Sequence, residues 1–145
     1  MNIQKATLND LDALTELFDL YRLFYEQESD LKGAKEFLQE RFMNEESIVF
    51  IAYDEHDPVG FTQLFPSFSS VSMQKSWVLN DLYVKKSARR RGIADKLIRK
   101  AISFAEETGA KGILLETGQQ NVNAQKLYEK IGFIRESSYY YYFLI

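Results

Sequence analysis

The turn from Lys85 to Arg91, closing in Arg89-x-x-Gly92-x-Ala94, is the stretch of this 145-residue chain whose residue types and spacing most suggest chemistry. A strand from Trp77 to Val84 leads into it and a helix leaves it at Gly92. Backbone N–H groups and the positive end of the helix dipole converge at such a turn, which suits it to a pyrophosphate. Gly92 lets the backbone approach a diphosphate closely, and the small Ala94 keeps the first helical turn clear. The competing reading of Lys85, Lys86, Arg89, Arg90 and Arg91 is a solvated basic loop. Neither Gly-x-x-x-x-Gly-Lys-Ser/Thr nor Gly-x-Gly-x-x-Gly after a strand occurs, so ATP in a P-loop and NAD at a Rossmann turn are poor readings.

Composition narrows the remaining chemistry. With no cysteine there is no disulfide framework, thiolate metal site or cysteine nucleophile, which fits a reducing compartment. The only histidine, His56, lies in the turn Asp54-Glu55-His56-Asp57-Pro58 and reads as solvated rather than catalytic. A formal charge of −3 argues against nucleic acid as partner, although the basic cluster suggests one anionic ligand site. The start, MNIQKATLNDLDAL, lacks the unbroken apolar core of a secretory signal, and nothing approaches the roughly 18 apolar residues of a membrane span. The expectation is a soluble, cytoplasmic protein of one domain, residues 1–145, able to bury roughly 70% of its unfolded surface.

The elements that must position the turn follow from periodicity. Asn2 to Ala6 reads as a first strand, and Thr7 to Asp10 as a capping-box start for a helix of about five turns carrying Leu11, Leu14, Leu17, Phe18, Tyr21, Phe24 and Tyr25. Ser29-Asp30 caps a second helix, interrupted by Gly33. Ser47 to Tyr53 and Val59 to Phe65 form a hairpin, and Pro66 to Lys75 reads as a serine-rich loop before the central strand. Beyond Gly92, Leu97, Ile98, Ala101, Ile102 and Ala105 trace the apolar face of a helix ended by Gly109. A short strand around Ile113-Leu114-Leu115 then makes a parallel crossover with the central strand. Asn121 or Asn123 caps a last helix that Gly132 ends, and Phe133 to Ile145 reads as a terminal strand. The fold class is α/β (α+β) on a mixed sheet.

The turn does not stand alone. Arg89-x-x-Gly92-x-Ala94 after the strand LNDLYV, followed by Asn121-x-x-Ala124-x-x-Leu127-Tyr128-Glu129-Lys130-x-Gly132-Phe133, resembles the GCN5-related N-acetyltransferase (GNAT) family. Those motifs cover Trp77 to Phe133; the N-terminal half fits more loosely. The resemblance implies a sheet of about six to seven strands flanked by about four helices, with a splayed central parallel pair. It implies acetyl-CoA as co-substrate and no metal. By position, the backbone from Arg89 through Arg90, Arg91, Gly92 and Ile93 to Ala94 would hold the pyrophosphate of coenzyme A. Leu82 and Val84 would pair with the pantetheine arm, and N–H groups near Leu82 or Tyr83 would polarise the acetyl carbonyl. Asn121 aligns with an asparagine that reaches the cofactor, in a motif that includes Ala124, and Tyr128 with a tyrosine near the sulfur.

The chemistry implied is direct attack of a neutral amine on the thioester, consistent with the missing cysteine. An alkylammonium of pKa near 10 must first lose a proton, and a thiolate leaving group of pKa about 8.5 can be protonated by a tyrosine, for which Tyr128 is the candidate. Asp81 is the candidate base; many family members carry glutamate hereabouts, and holding a neighbouring loop is the alternative role. Tyr21, Tyr25 and Trp77 could line an acceptor pocket, though a core role is the reading adopted for each. The runs YRLFYEQESD, FLQER and TQLFPSFSSVSMQKSWVLNDLYV look like a subgroup with yeast enzymes acting on histones, polyamines or D-amino acids, which favours a primary-amine acceptor such as a small amine, a polyamine, an amino acid or a lysine side chain. Tyr139 to Tyr142 suit either a homodimer interface, dimers being common in that subgroup, or packing within one chain. A catalytically silent acyl-CoA sensor would keep Gly92 and Asn121 but need no Tyr128.

Overall fold

The computed structural model describes residues Met1 to Ile145. Strands β1 (Asn2–Lys5), β2 (Ile48–Asp54), β3 (Asp57–Ser69), β4 (Gln74–Val84) and β5 (Ile113–Leu115) lie in that order across one sheet. Every pairing is antiparallel except β4 with β5, where a crossover returns the chain parallel. Helices α1 (Leu11–Phe24) and α2 (Leu31–Met43) cover one face, while α3 (Ile93–Glu107) covers the other and α4 (Val122–Ile131) flanks it.

The first two helices begin where side chains satisfy free amides of a first turn. Ahead of α1, Thr7 and Asp10 cap each other reciprocally, the Thr7 amide donating to the Asp10 carboxylate at 2.9 Å. Asp30 caps α2 by accepting from the Gly33 amide at 2.9 Å, and a Cβ on residue 33 would collide with that carboxylate. The glycine that interrupts the apolar stripe of α2 is thus what lets the cap close.

Two cores result. Leu97, Ile98 and Ala101 of α3 pack with Leu64, Trp77 and Leu79 of the sheet, and Leu14, Leu17 and Leu38 of α1 and α2 pack with Ile51 and Phe61 on the opposite face. Burying each large side chain contributes roughly 1.5–3 kcal/mol, so the two faces together clamp β3 and β4 in place.

Three expectations are corrected. The sheet has five strands rather than six to seven, because Phe133 to Ile145 forms no strand and pairs with nothing. The segment Pro66 to Lys75 is largely ribbon, not loop: cross-strand pairs from Phe65–Val78 to Ser69–Gln74 continue the β3–β4 ladder, and only Ser70 to Met73 turn. The first helix is shorter than five turns, ending at Phe24. No helix is long and apolar enough to cross a membrane.

Candidate active site

β4 changes sides part-way along its length. Leu64 pairs with Leu79 and Gln63 with Asp81, leaving Asn80 as an extra residue without a partner on β3. Trp77 and Leu79 therefore face α3, and so do Leu82 and Val84, while Asp81 and Tyr83 are turned to the α1 face. Without the bulge, strict alternation would send Asp81 into the apolar core beside Leu79.

On that face Asp81 is 4% exposed. Its carboxylate accepts hydrogen bonds from the Gln63 side-chain amide and, at 2.8 Å, from that of Asn80. Burial raises its pKa above the ordinary carboxylate range, and the bonds from Gln63, Asn80 and Tyr21 only partly oppose this. The Tyr21 hydroxyl lies 3.4 Å from the Asn80 carbonyl and within reach of the carboxylate. Burial and the negative charge of Asp81 push the Tyr21 phenol up, so it stays a proton donor. Its ring packs edge-on against Tyr25 at 5.1 Å, Phe61 at 5.7 Å and Tyr83 at 6.2 Å.

Tyr128, on α4, is half-buried, with its ring 5.9 Å from Phe133. It lies near enough to Tyr21 and Tyr25 for their charges to act on one another, and burial raises its pKa first, the Tyr25 charge second. Tyr21 is thus the group that both candidates act on, Asp81 through a hydrogen bond and its charge and Tyr128 through its charge alone.

The β4–β5 pairing stops at Leu79–Leu115, so β4 runs on from Asn80 to Val84 with no neighbour on that side. The Lys85 amide bonds back to Val59 on β3, and alternation then turns the backbone of Leu82 and Val84 toward the open side. Beyond this edge a short 3₁₀ turn, Lys86–Ala88, leads to the basic turn. There the backbone N–H groups of Arg90, Arg91, Gly92, Ile93, Ala94 and Asp95 donate to no protein acceptor. Arg90 and Gly92 both have positive φ, 65° and 74°, and a Cβ on Gly92 would stand in open space. A run of free amides at the N-terminus of a long helix is an arrangement that can hold an anion. The residues present fit a diphosphate.

Most basic side chains of the turn are engaged within the protein. Arg89 donates through Nε to the Val84 carbonyl at 3.1 Å and lies over the rings of Phe24 and Tyr83, and its own amide is used in the 3₁₀ turn. Arg91 pairs with Asp54 at 2.9 Å, and Lys85 with Glu16 and Asp57. Asn121 caps α4, its Oδ1 accepting from the Ala124 amide at 3.3 Å, so that the side-chain Nδ2 alone remains for a ligand. Trp77 is buried on the α3 side, donating to Thr108 Oγ1 at 3.0 Å, and so lines no acceptor site. His56 is exposed in its turn.

The family model for the acetyltransferase (GNAT) family matches residues 14–133. The chain belongs to the GNAT acetyltransferase family. An uncharacterized N-acetyltransferase of Bacillus subtilis (strain 168), YhfO, is 43% identical over 144 residues, which covers 99% of this chain and 97% of that protein. The crystal structure of a "probable acetyltransferase" superimposes with a TM-score of 0.93 at 41% identity, covering 100% of this chain and 97% of the other. The D-amino-acid N-acetyltransferase HPA3 of Saccharomyces cerevisiae is 33% identical over 85 residues, 57% of this chain and 53% of that protein. This GNAT chain is accordingly an acetyltransferase, of a family that uses acetyl-CoA.

Reading the sequence alone missed three contributors to the site. Gln63 gave no signal, being one polar residue in an apolar strand. Asn80-Asp81 did carry one, since adjacent polar residues in the middle of WVLNDLYV break strand alternation in the way a bulge would. Tyr21, read as core, sits with its hydroxyl at the bulge.

Proposed function

We propose that this protein transfers the acetyl group of acetyl-CoA to a primary amine by direct attack, with Asp81 as base and Tyr128 as hydrogen-bond donor to the departing sulfur. The observation that carries the reading is the bulge at Asn80, which turns a buried carboxylate to the α1 face where β4 loses its neighbour.

The thioester supplies an acyl carbon open to attack by a neutral amine. The free amides from Arg90 to Asp95 bind the diphosphate, with Gly92 leaving room for its approach. The open backbone of Leu82 and the N–H of Val84 orient the pantetheine arm, and the Leu82 N–H, turned to the open side while that of Tyr83 faces β3, polarises the acyl oxygen as negative charge grows on it. Asn121 Nδ2 and the α4 N-terminus around Ala124 close the far wall. Asp81, held above the usual carboxylate range, is better matched to taking a proton from an ammonium near neutral pH than an ordinary aspartate. Tyr128 stays protonated because its pKa is raised. Full transfer from such a phenol to a thiolate of pKa about 8.5 runs uphill, so Tyr128 stabilises the sulfur while the proton lost by nitrogen completes the thiol.

A primary amine is supported by a carboxylate rather than a cation at the reacting end, by the net charge of −3, and by the D-amino-acid acetyltransferase among its relatives. The test is a thermal-shift comparison of acetyl-CoA, coenzyme A, NAD and ATP, followed by a screen of polyamines, D- and L-amino acids and lysine peptides that reads free thiol. With no cysteine in the chain, a thiol reagent reports coenzyme A alone. Stabilisation by acetyl-CoA and thiol release with one amine class are expected. An inert protein in both assays would refute the reading.

A further inference from the structure

One face of the sheet is covered only in part. Leu64, Trp77, Leu79, Ile113 and Leu115 all pack toward α3, so alternation sends Phe65, Val78 and Leu114 to the opposite side. These three stand in one row across β3, β4 and β5, Phe65 paired with Val78 and Val78 with Leu114. None of them belongs to either core: Phe65 and Val78 are half-buried, and Leu114 is 61% exposed. Neighbouring strands lie about 5 Å apart, so the row is an apolar strip roughly 10 Å long.

Two features join the strip to the reacting end. Along the same face of β3 and β4 the next pair is Gln63 with Asp81, about 7 Å from Phe65 at the rise of a strand. At its β3 end the strip opens into a groove of about 530 Å³ beside α2, where Phe37 and Pro66 join Phe65. The charged groups of that groove are largely engaged with one another. Arg41 lies over the Phe37 ring at 4.5 Å and pairs with Glu40 at 3.2 Å and Glu46 at 3.0 Å, which leaves Glu45 at the rim without an ion pair. An uncovered apolar surface that runs up to a buried carboxylate has the make-up of a binding site, apolar along its length and polar at one point.

We infer that this strip holds the body of the acceptor, and that the acceptor is a primary amine on an apolar alkyl or arylalkyl chain. The inference rests on the reading of Asp81 as the base of an amine acetyltransferase. With the nitrogen at Asp81, the first carbons of such a chain lie over Val78, and the remainder extends along the row. Each methylene laid on the strip leaves water, so affinity grows with chain length until the chain outruns the row. A second ammonium or a carboxylate in mid-chain would lie over Val78, where it loses water and gains no charged partner. The strip thus selects against polyamines and in favour of amines with one charge.

Thiol release from acetyl-CoA, measured with n-propylamine, n-pentylamine, n-heptylamine, phenethylamine, spermidine and D-alanine, tests this. From n-propylamine to n-heptylamine kcat/KM should rise about threefold per methylene, and phenethylamine should exceed both spermidine and D-alanine. Val78→Ser should lower kcat/KM for n-heptylamine about tenfold while leaving n-propylamine and the KM for acetyl-CoA near wild type. Leu114→Ser, at an exposed position, gives the same comparison if Val78→Ser does not fold. A flat response to chain length, a polyamine or amino acid as the best acceptor, or equal losses with the short and long amines would each overturn the inference. If no amine at all is acetylated, the proposed function fails and the strip is judged by binding alone. Calorimetry with coenzyme A present should then still show n-heptylamine bound by the wild type and about tenfold more weakly by Val78→Ser, and an absence of binding would overturn the strip as well.

Discussion

The Tyr21 hydroxyl of α1 lies 3.4 Å from the carbonyl of Asn80, the one residue of β4 that the bulge leaves without a partner on β3. A helix on one face of the sheet thereby reads the irregularity in the central strand and brings a proton donor to the carboxylate that the irregularity reorients. The kinetics of this acetyltransferase should be most sensitive there.

Tyr21→Phe removes a hydrogen bond that favours the ionised form of Asp81. The Asp81 pKa should therefore rise further, and the acid limb of the pH profile of kcat/KM should move to higher pH, with a loss of roughly tenfold at neutral pH. KM for acetyl-CoA should stay near that of the wild type. An unmoved acid limb would separate Tyr21 from the titrating group.

Asp81→Asn should lower kcat about 100-fold or more and abolish the acid limb, yet it should not destabilise the protein at neutral pH. A folded-state pKa above the unfolded one means that Asp81 adds to stability while protonated, at acid pH, and that this contribution is lost as pH rises through the folded value. Asparagine does not ionise, and Gln63 can turn its unpaired Oε1 toward the new amide. Melting curves should show Asp81→Asn at or about 2–4 °C above wild type near pH 7, with the gap closing on acidification.

Gly92→Ala should raise KM for acetyl-CoA about tenfold, equivalent to about 1.4 kcal/mol, with a smaller change in kcat. Residue 92 has φ of 74°, so alanine also costs about 1–2 kcal/mol of folding stability. Titrating coenzyme A by calorimetry separates the effects, since a purely structural change would leave its affinity intact.

Tyr128→Phe should reduce kcat by roughly 10- to 100-fold while leaving acetyl-CoA binding unchanged. Wild-type kcat in this variant at every pH would exclude Tyr128 from the reaction.

Gly33→Ala places a good helix former in α2 but displaces the Asp30 cap, two effects of about 1 kcal/mol each and of opposite sign. No net stabilisation is expected. In an Asp30→Ala background the same change should stabilise, a double-mutant cycle readable by urea unfolding.

Much of the frame was legible in the residues, because caps, helical periodicity and glycine terminators are local. Thr7 and Asp10, the α3 stripe ending at Gly109, Asn121 at the start of α4 and the amide-rich turn at Gly92 lie where short-range chemistry puts them. The failures are long-range. Pro66 to Ser69 read as loop because their composition is polar, yet partners on β4 extend the ladder through them. Phe133 to Ile145 read as a sheet strand because their propensity is high, yet a strand exists only where an edge receives it. The side of the sheet that Asp81 faces was decided in the same way. By itself the sequence determined that a basic, amide-rich turn follows a strand bearing a carboxylate. Only the mismatch between two paired strands, one residue longer on β4 at Asn80, decided that this carboxylate meets Gln63 and Tyr21 rather than the apolar core, since a single-residue shift in register reverses every side chain that follows.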